Sequence, residues 1–197
     1  MSDPKVFSVA VVLYPNNALL DFQGPMELLE TASLNSASGA FFEALPGFPK
    51  PNVKFEPEYV AETREPIRGV SGPPIIATKT INEVRSKQFD ILLIPGGIVK
   101  AEDIPSSVAE FVRAQVPGAQ YVLTGTTSST VEWVAKARWV TDGKIWTSAG
   151  VTAAQDMAYD FLTTVAGSEF ATAVKGVVGF RATRADDDEL ADVFKLA

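Results

Sequence analysis

Apolar residues along this chain fall into short continuous runs that are separated by amphipathic segments. The run at Val6–Pro15, VFSVAVVLYP, is nearly continuous in β-branched and aromatic residues, which is typical of a strand buried on both faces. Two further runs, FDILLIPGG at Phe89–Gly97 and QYVLT at Gln120–Thr124, have the same character. Because parallel sheets covered by helices give such runs, we predict adjacent, parallel strands at 6–14, 89–94 and 120–124, with helices on both faces.

Helical segments alternate with these runs and carry recognisable ends. NNALLDFQGPMELLETAS follows the first run, and its Pro25 suits the first turn of a helix. Capping boxes, in which a Ser or Thr precedes a Glu by three residues, predict helix starts at Thr80–Glu83 and Ser107–Glu110. Further along, GVTAAQDMAYDFLTTVAG predicts a long helix that ends at Gly167, and SEFATAVKGVVGF predicts another.

Shorter patterns complete the prediction of one α/β domain over residues 1–197. The segment GFPKPNVKFEPEYVAET alternates after its prolines and suits a peripheral strand, while IRGVSGPPIIATKTI indicates two short strands about a Gly-Pro turn. ARWVTDGKIWTS indicates a hairpin around Asp142–Gly143, because Asp-Gly supplies the positive φ angles of a tight turn. Strands that alternate with helices, without a repeat or linker, favour a mainly parallel sheet.

The composition narrows the classes of partner. Among 197 residues, 24 acidic and 17 basic side chains give a net charge of −7, so the surface repels nucleic acid, and no basic stripe offsets this. No apolar run approaches the ~18 residues of a membrane span, and the N-terminal segment lacks the basic region of a signal peptide. We expect a cytoplasmic protein that binds neither nucleic acid nor membranes.

The chain has no cysteine and no histidine. This excludes disulfides, thiolate catalysis, zinc sites with Cys or His ligands, and Ser–His or Cys–His catalytic pairs. Acid–base chemistry is left to Asp, Glu, Lys or Tyr, and we expect neither a metal nor another cofactor. The acidic stretch RADDDELADVF lacks the spaced glycine of a calcium loop, and we interpret it as a solvated segment.

Four stretches, LLDFQGPMELL, DILLIPGG, YVLTGTTSS and KARWVTDGKIWTSAGVTAAQDM, resemble the ThiJ/PfpI superfamily, the parkinsonism-deglycase group. The resemblance is strongest to the isonitrile (isocyanide) hydratase branch and its fungal relatives. It implies a flavodoxin-like three-layer sandwich of the class I glutamine-amidotransferase type, usually a homodimer. It also implies that an aspartate after the first strand works with a cysteine at an elbow. Asp21 matches that aspartate, and Gly96 and Gly97 match a glycine pair that lines the pocket with N–H groups.

The chain departs from this family at the elbow, LTGTTSS. The family typically has a V-C-T-G-S pattern there, and alignment places Thr126 at the cysteine and Ser128 at the glycine. Most of the helix and strand that follow in the family are then missing. Alternatively, the capping box Ser129–Glu132 opens a shortened helix, VEWVAKA.

The hydroxyl of Thr126 would need an adjacent general base to act as a nucleophile. A carboxylate with an ordinary pKa of ~4 is a weak base for this purpose. A hydrogen-bonding role for Thr126 is therefore favoured over a nucleophilic one.

Asp21 is the better catalytic candidate, because desolvation at the end of a buried strand raises a carboxyl pKa towards the range of a general acid. Its non-catalytic interpretation is a helix-entry carboxylate that is bonded to nearby backbone. We predict a cofactor-free enzyme for hydration, dehydration, isomerisation or cyclisation of a small apolar metabolite, with Asp21 and Thr126 as catalytic residues. Substrate contacts are predicted for Gly96, Gly97, Thr127 and Ser128. The alternative is an inactive relative that binds a small molecule or a protein.

Overall fold

The structure is a computed structural model that describes residues 3–33, 44–125, 134, 136–188 and 193. The strands are Lys5–Val12 (β1), Val53–Ala61 (β2), Lys79–Thr80 (β3), Ile91–Ile94 (β4), Tyr121–Gly125 (β5), Trp139–Asp142 (β6) and Ile145–Ser148 (β7). The α-helices are Leu19–Ser33 (α1), Ser106–Gln115 (α2), Val151–Ala166 (α3) and Ser168–Val178 (α4), and a 3₁₀ turn covers Ala101–Asp103. No helix among these described residues is both long and apolar enough to cross a membrane.

The strands form one sheet in the order β3-β2-β1-β4-β5-β7-β6. All neighbouring pairs in this order are parallel except β6 with β7, which is antiparallel. The predicted adjacency of the first, central and next strands is confirmed, because β1 pairs with β4 and β4 pairs with β5. The carboxyl ends of these three strands therefore lie side by side at one edge of the sheet.

Each face of the sheet has its own apolar core. Alternate residues of β1 belong to different clusters: Phe7, Val9 and Val11 pack with helices α1, α3 and α4, whereas Ala10 and Val12 pack with α2. This alternation follows from the two-residue period of a strand. Helices on both faces of the sheet make a flavodoxin-like three-layer α/β fold, as predicted.

The predicted hairpin is confirmed as β6 and β7, but Asp142 is the last residue of β6 and pairs with Ile145, so the two-residue turn is Gly143–Lys144 rather than Asp142–Gly143. Gly143 has the positive φ angle of the turn, at 56°. The prediction of two short strands around the Gly-Pro turn is only partly right. Ile67 and Ile75 exchange both backbone hydrogen bonds, at 2.7 and 2.9 Å, but they form a single isolated bridge. Pro73 and Pro74 have no N–H to donate, and the glycines between the two isoleucines have no side chain to pack, so the ladder does not extend.

The predicted helix starts need three corrections. Helix α1 begins at Leu19, so Pro25 lies inside it rather than in its first turn, because burial of the preceding Phe22 extends the helix backwards. The reciprocal hydrogen bonds of the Thr80–Glu83 capping box are present at 2.7 and 3.3 Å, but only turns follow. The Ser107 hydroxyl does not cap α2, because it donates instead to Glu62 at 2.7 Å.

Candidate functional site

The candidate site lies where the carboxyl ends of β1, β4 and β5 meet. A short loop connects β1 to α1, and it is joined to the loop after β4 by the hydrogen bond from the Ala18 N–H to the Gly96 carbonyl at 2.8 Å. Asp21 stands in the first turn of α1. The glycine pair Gly96–Gly97 follows β4, and Gly125 ends β5. These residues come together although they are distant in the sequence.

The Asp21 carboxylate is bound by a distant segment of backbone. Its Oδ2 accepts a hydrogen bond of 2.9 Å from the N–H of Gly96, so the backbone that it bonds belongs to the loop after β4 and not to its own helix. Its Oδ1 is buried and has no hydrogen-bond partner among the described residues. A buried acceptor without a partner is uncommon in folded proteins and suggests a functional role.

Burial raises the pKa of Asp21, and the hydrogen bond from Gly96 partly opposes this increase. The direction agrees with the sequence prediction and has the predicted cause, because desolvation penalises the charged carboxylate. A carboxyl group of raised pKa exchanges protons more readily near neutral pH than an ordinary one. Asp21 therefore has one oxygen fixed by Gly96, one buried oxygen that no described residue hydrogen-bonds, and a raised pKa.

Gly96 and Gly97 are required by close packing around the two loops. A Cβ on Gly96 would lie 2.7 Å from the Asp21 Oδ2, inside any normal contact. The Gly96 N–H, which was predicted to bind substrate, donates to Asp21 in this structure. The predicted contact between the Gly97 N–H and a substrate remains a prediction.

We expect Gly97→Ala to lower the free energy of unfolding by about 1–3 kcal/mol, the usual cost of overpacking. A Cβ there would lie 2.2 Å from the Asn16 carbonyl oxygen and 2.9 Å from the Asn17 Cα, so the backbone of the loop must move. The matched control is Gly176→Ala in the exposed part of α4, where a Cβ meets nothing within 4 Å. This control should increase stability by roughly 0.5–1 kcal/mol. Thermal denaturation tests both, and equal melting temperatures for the two variants would contradict the close contact at Gly97.

The predicted elbow residues Thr126, Thr127 and Ser128 lie outside the described residues. The described chain ends on this side at Gly125, and a Cβ on Gly125 would lie 3.4 Å from the Cα of Gly96. The Gly96 N–H that holds Asp21 is thus directly beside the point at which the elbow segment begins. This proximity is what a joint role for Asp21 and the elbow requires.

Two polar residues that help to build the site, Asn17 and Tyr14, are not among those predicted from the sequence. Asn17 is fully buried, and its side-chain N–H donates to the Tyr14 carbonyl at 2.5 Å while its Oδ1 has no partner among the described residues. The hydroxyl of the buried Tyr14 donates to the carbonyl of Pro95. A phenol at the end of an apolar strand was the available signal, because a buried Tyr hydroxyl normally finds a partner.

Two other features lie away from this site. Glu27, a second acidic residue of α1, is exposed. An apolar groove of about 480 Å³ lies between the segment at 45–48 and helix α4, lined partly by Phe48, Ala173 and Val177. Neither feature places a titratable group beside Asp21. Within the described part of the chain, no three acidic side chains are grouped so that they could hold a metal ion.

The fold and the position of Asp21 define the class of protein: a flavodoxin-like α/β domain with its polar site at the carboxyl edge of the sheet. More specifically, the chain belongs to the DJ-1/PfpI family, whose model matches residues 8–131. This match begins within β1, continues past β5, and includes Asp21 and the Gly96–Gly97 pair. The superfamily predicted from the four sequence stretches is therefore confirmed.

Three solved structures illustrate the likeness. A THiJ/PfpI family protein from Pseudomonas syringae has a TM-score of 0.67 at 17% identity, over 93% of this chain and 78% of that chain. Drosophila melanogaster DJ-1beta has a TM-score of 0.66 at 17% identity, over 90% of this chain and 99% of that chain. An AraC family transcriptional regulator from Pseudomonas putida has a TM-score of 0.62 at 14% identity, over 87% of this chain and 99% of that chain. At these identities the likeness shows the fold alone, and no match was found among curated proteins.

Proposed function

We propose that this member of the DJ-1/PfpI family is a cofactor-free enzyme that uses Asp21 as its general acid and base. The observation that carries the proposal is the Asp21 carboxyl group, which is held by Gly96 through one oxygen while the other is buried and has no hydrogen-bond partner in the described part of the chain. A substrate group beside that second oxygen would receive or give up a proton. Hydration, dehydration, isomerisation and cyclisation need only such a transfer in a shaped pocket.

The relationship to the isonitrile hydratase branch is part of this proposal. It is supported by the LLDFQGP stretch, which carries Asp21 at the same place in the family pattern. The chain has no cysteine, so its chemistry cannot use the thiolate of that branch. Thr126, Thr127 and Ser128 are proposed to orient the substrate by hydrogen bonds from their hydroxyls, with Thr126 nearest to the reaction.

Exposed apolar side chains near the site support an apolar substrate. Leu20, which precedes Asp21, is 52% exposed, and Ile98, which follows the glycine pair, is 78% exposed. Val70 is 42% exposed, and its N–H donates to the Asn17 carbonyl at 2.9 Å. Apolar side chains around a few polar groups are typical of small-molecule sites.

Turnover in deuterated water provides a direct test. The protein is incubated with a panel of small apolar metabolites that carry isonitrile, alkene or hydroxyl groups, and the products are followed by mass spectrometry. Deuterium in the products formed by the native protein, with none in products formed by Asp21→Asn, would support proton transfer by Asp21. Equal incorporation by both proteins would contradict it.

The alternative function is a small-molecule or protein binding module. The absence of cysteine and histidine favours this alternative, because both common nucleophile systems are lost. One structural neighbour is a transcriptional regulator, so the fold also occurs outside enzymes. If the panel raises the melting temperature of the native protein without any turnover, the binding function replaces the enzymatic one.

We also propose that the chain forms a homodimer. The tryptophans of the hairpin do not support a dimer surface, because Trp146 is buried against Phe161 within the chain and Trp139 donates to Asp160 at 3.2 Å. The proposal therefore depends on the family resemblance and on exposed apolar residues such as Ile98. Light scattering at micromolar concentration should give a mass near twice the 21.1 kDa of one chain. A mass near 21.1 kDa would contradict the dimer.

A further inference from the structure

A single peptide group, between Pro95 and Gly96, is hydrogen-bonded at both ends. The Tyr14 hydroxyl donates to its carbonyl oxygen, which belongs to Pro95. Its N–H, which belongs to Gly96, donates to the Asp21 Oδ2 at 2.9 Å. The phenol of Tyr14 is thus connected to the Asp21 carboxylate through one planar amide, although Tyr14 and Pro95 are 81 positions apart in the chain.

We infer that Tyr14 is a positioning residue for Asp21, and that it acts through the Pro95–Gly96 peptide. The inference rests on the proposed role of Asp21, which it deepens by naming the group that controls the carboxylate. Tyr14 itself does not need to contact the substrate. It holds the orientation of the amide whose N–H fixes Asp21.

The physical basis is hydrogen-bond cooperativity. A proton donor on an amide carbonyl draws electron density towards the oxygen, which makes the N–H of the same amide a stronger donor. A stronger Gly96 N–H stabilises the ionised form of Asp21 more than the neutral form. Tyr14 therefore opposes the increase that burial causes in the pKa of Asp21. It keeps that pKa within a range that is useful for proton exchange.

Tyr14 is suited to this role because it remains a donor over the working pH range. It is 4% exposed, and burial, with a smaller contribution from the neighbouring Asp21 carboxylate, raises its pKa to about 12. Its backbone is held as well, since the Asn17 side-chain amide donates to the Tyr14 carbonyl at 2.5 Å.

The test measures the titration of Asp21 in Tyr14→Phe. The carboxyl carbon signal of Asp21, assigned by its loss in Asp21→Asn, is followed by NMR from acidic to neutral pH. Loss of the hydroxyl should move the midpoint to higher pH by roughly 0.1–0.7 pH unit, from cooperativity of 10–30% on a hydrogen bond to a charged group. Tyr121→Phe, at a partly buried tyrosine on β5, is the control and should leave the midpoint unchanged.

A second variant should move the Asp21 titration midpoint in the opposite direction, and it preserves the fold. Site-specific 3-fluorotyrosine at position 14 makes the phenol a stronger donor, so the Asp21 midpoint should move to lower pH. Opposite shifts in the two variants support the inference. A midpoint that stays fixed in both, or a loss of thermal stability in Tyr14→Phe without any shift, would overturn it. Because no substrate is involved, this result is independent of whether the deuterium experiment finds turnover.

Discussion

Asp21→Asn should lower the rate of turnover of the natural substrate by about 10²–10⁴-fold, the usual contribution of general acid–base catalysis. Asparagine has the shape of aspartate and can still accept the Gly96 N–H with its carbonyl oxygen. The change therefore removes only the ability to exchange a proton at the buried Oδ1 position. Steady-state rates against pH should also lose the ionisation that Asp21 contributes to the native profile.

The comparison variant is Thr126→Ala, which removes one hydroxyl from the elbow. If Thr126 only orients the substrate, its loss costs the net value of one neutral hydrogen bond, about 0.5–1.5 kcal/mol, or at most around tenfold in rate. The order of the two effects is what decides the mechanism. Loss of all turnover in Thr126→Ala together with full activity in Asp21→Asn would show that a hydroxyl nucleophile, not the carboxylate, carries the reaction.

The stability of Asp21→Asn provides the control for misfolding. Because the pKa of Asp21 is raised in the folded state by burial, the folded state holds its proton to higher pH than the unfolded state does. The stabilisation from Asp21 is thus complete below the ordinary carboxyl pKa and is lost as the pH rises through the raised value. At neutral pH the native carboxylate is a destabilising group, so Asp21→Asn should melt at a higher temperature than the native protein.

The central fold could be predicted from the sequence because buried parallel strands have a direct signature. Strands β1, β4 and β5 lie in continuous apolar runs, and neither turn chemistry nor long-range pairing is needed to recognise such runs. The hairpin of β6 and β7 could be predicted as well, because a glycine such as Gly143 readily adopts the positive φ angle that a two-residue turn requires. Local patterns failed where tertiary contacts decided the outcome, as at Ser107, whose hydroxyl bonds Glu62 rather than its own helix.

The candidate site could be predicted only in part for the same reason. Asp21 was identified by its place after a buried strand and by the family pattern. Its partner, the Gly96 N–H, lies 75 positions away, and the Tyr14–Pro95 contact spans a similar separation. No periodicity connects such residues, so the polar network that controls Asp21 emerges only when the strands are aligned in the sheet.

Asp156→Ala should lower the free energy of unfolding by about 3–5 kcal/mol, the usual cost of leaving one partner of a buried ion pair without its counter-charge. Arg138, which precedes β6, is 9% exposed, and Asp156 on α3 is 2% exposed. The guanidinium donates to the Asp156 Oδ2 from two nitrogens, at 2.6 and 2.9 Å. The Asp156 Oδ1 also accepts the Thr183 N–H at 2.7 Å, so the pair anchors the segment after α4.

At roughly 2–4 °C per kcal/mol for a domain of this size, Asp156→Ala should reduce the melting temperature by about 6–20 °C. The matched control is Asp186→Asn, which removes a carboxylate from an ion pair with Arg184 that is open to solvent, with side chains 81% and 69% exposed. Exposed pairs are screened by water and contribute little, so this control should melt close to the native temperature. Similar melting temperatures for Asp156→Ala and Asp186→Asn would contradict a structural role for the buried pair.

The double variant Arg138→Met with Asp156→Leu separates pairing from burial. Replacing both members of a buried ion pair by apolar side chains of similar size is often close to neutral, because the desolvation cost disappears with the attraction. We expect the double variant to be more stable than either single variant, with a large interaction term in the double-mutant cycle. If the losses from the two single variants simply add in the double variant, then the ion pair itself contributes nothing, and the effect of each change comes from its own packing. The Thr183 N–H also loses its acceptor in the double variant, so the segment after α4 should become more susceptible to proteolysis even where global stability is recovered.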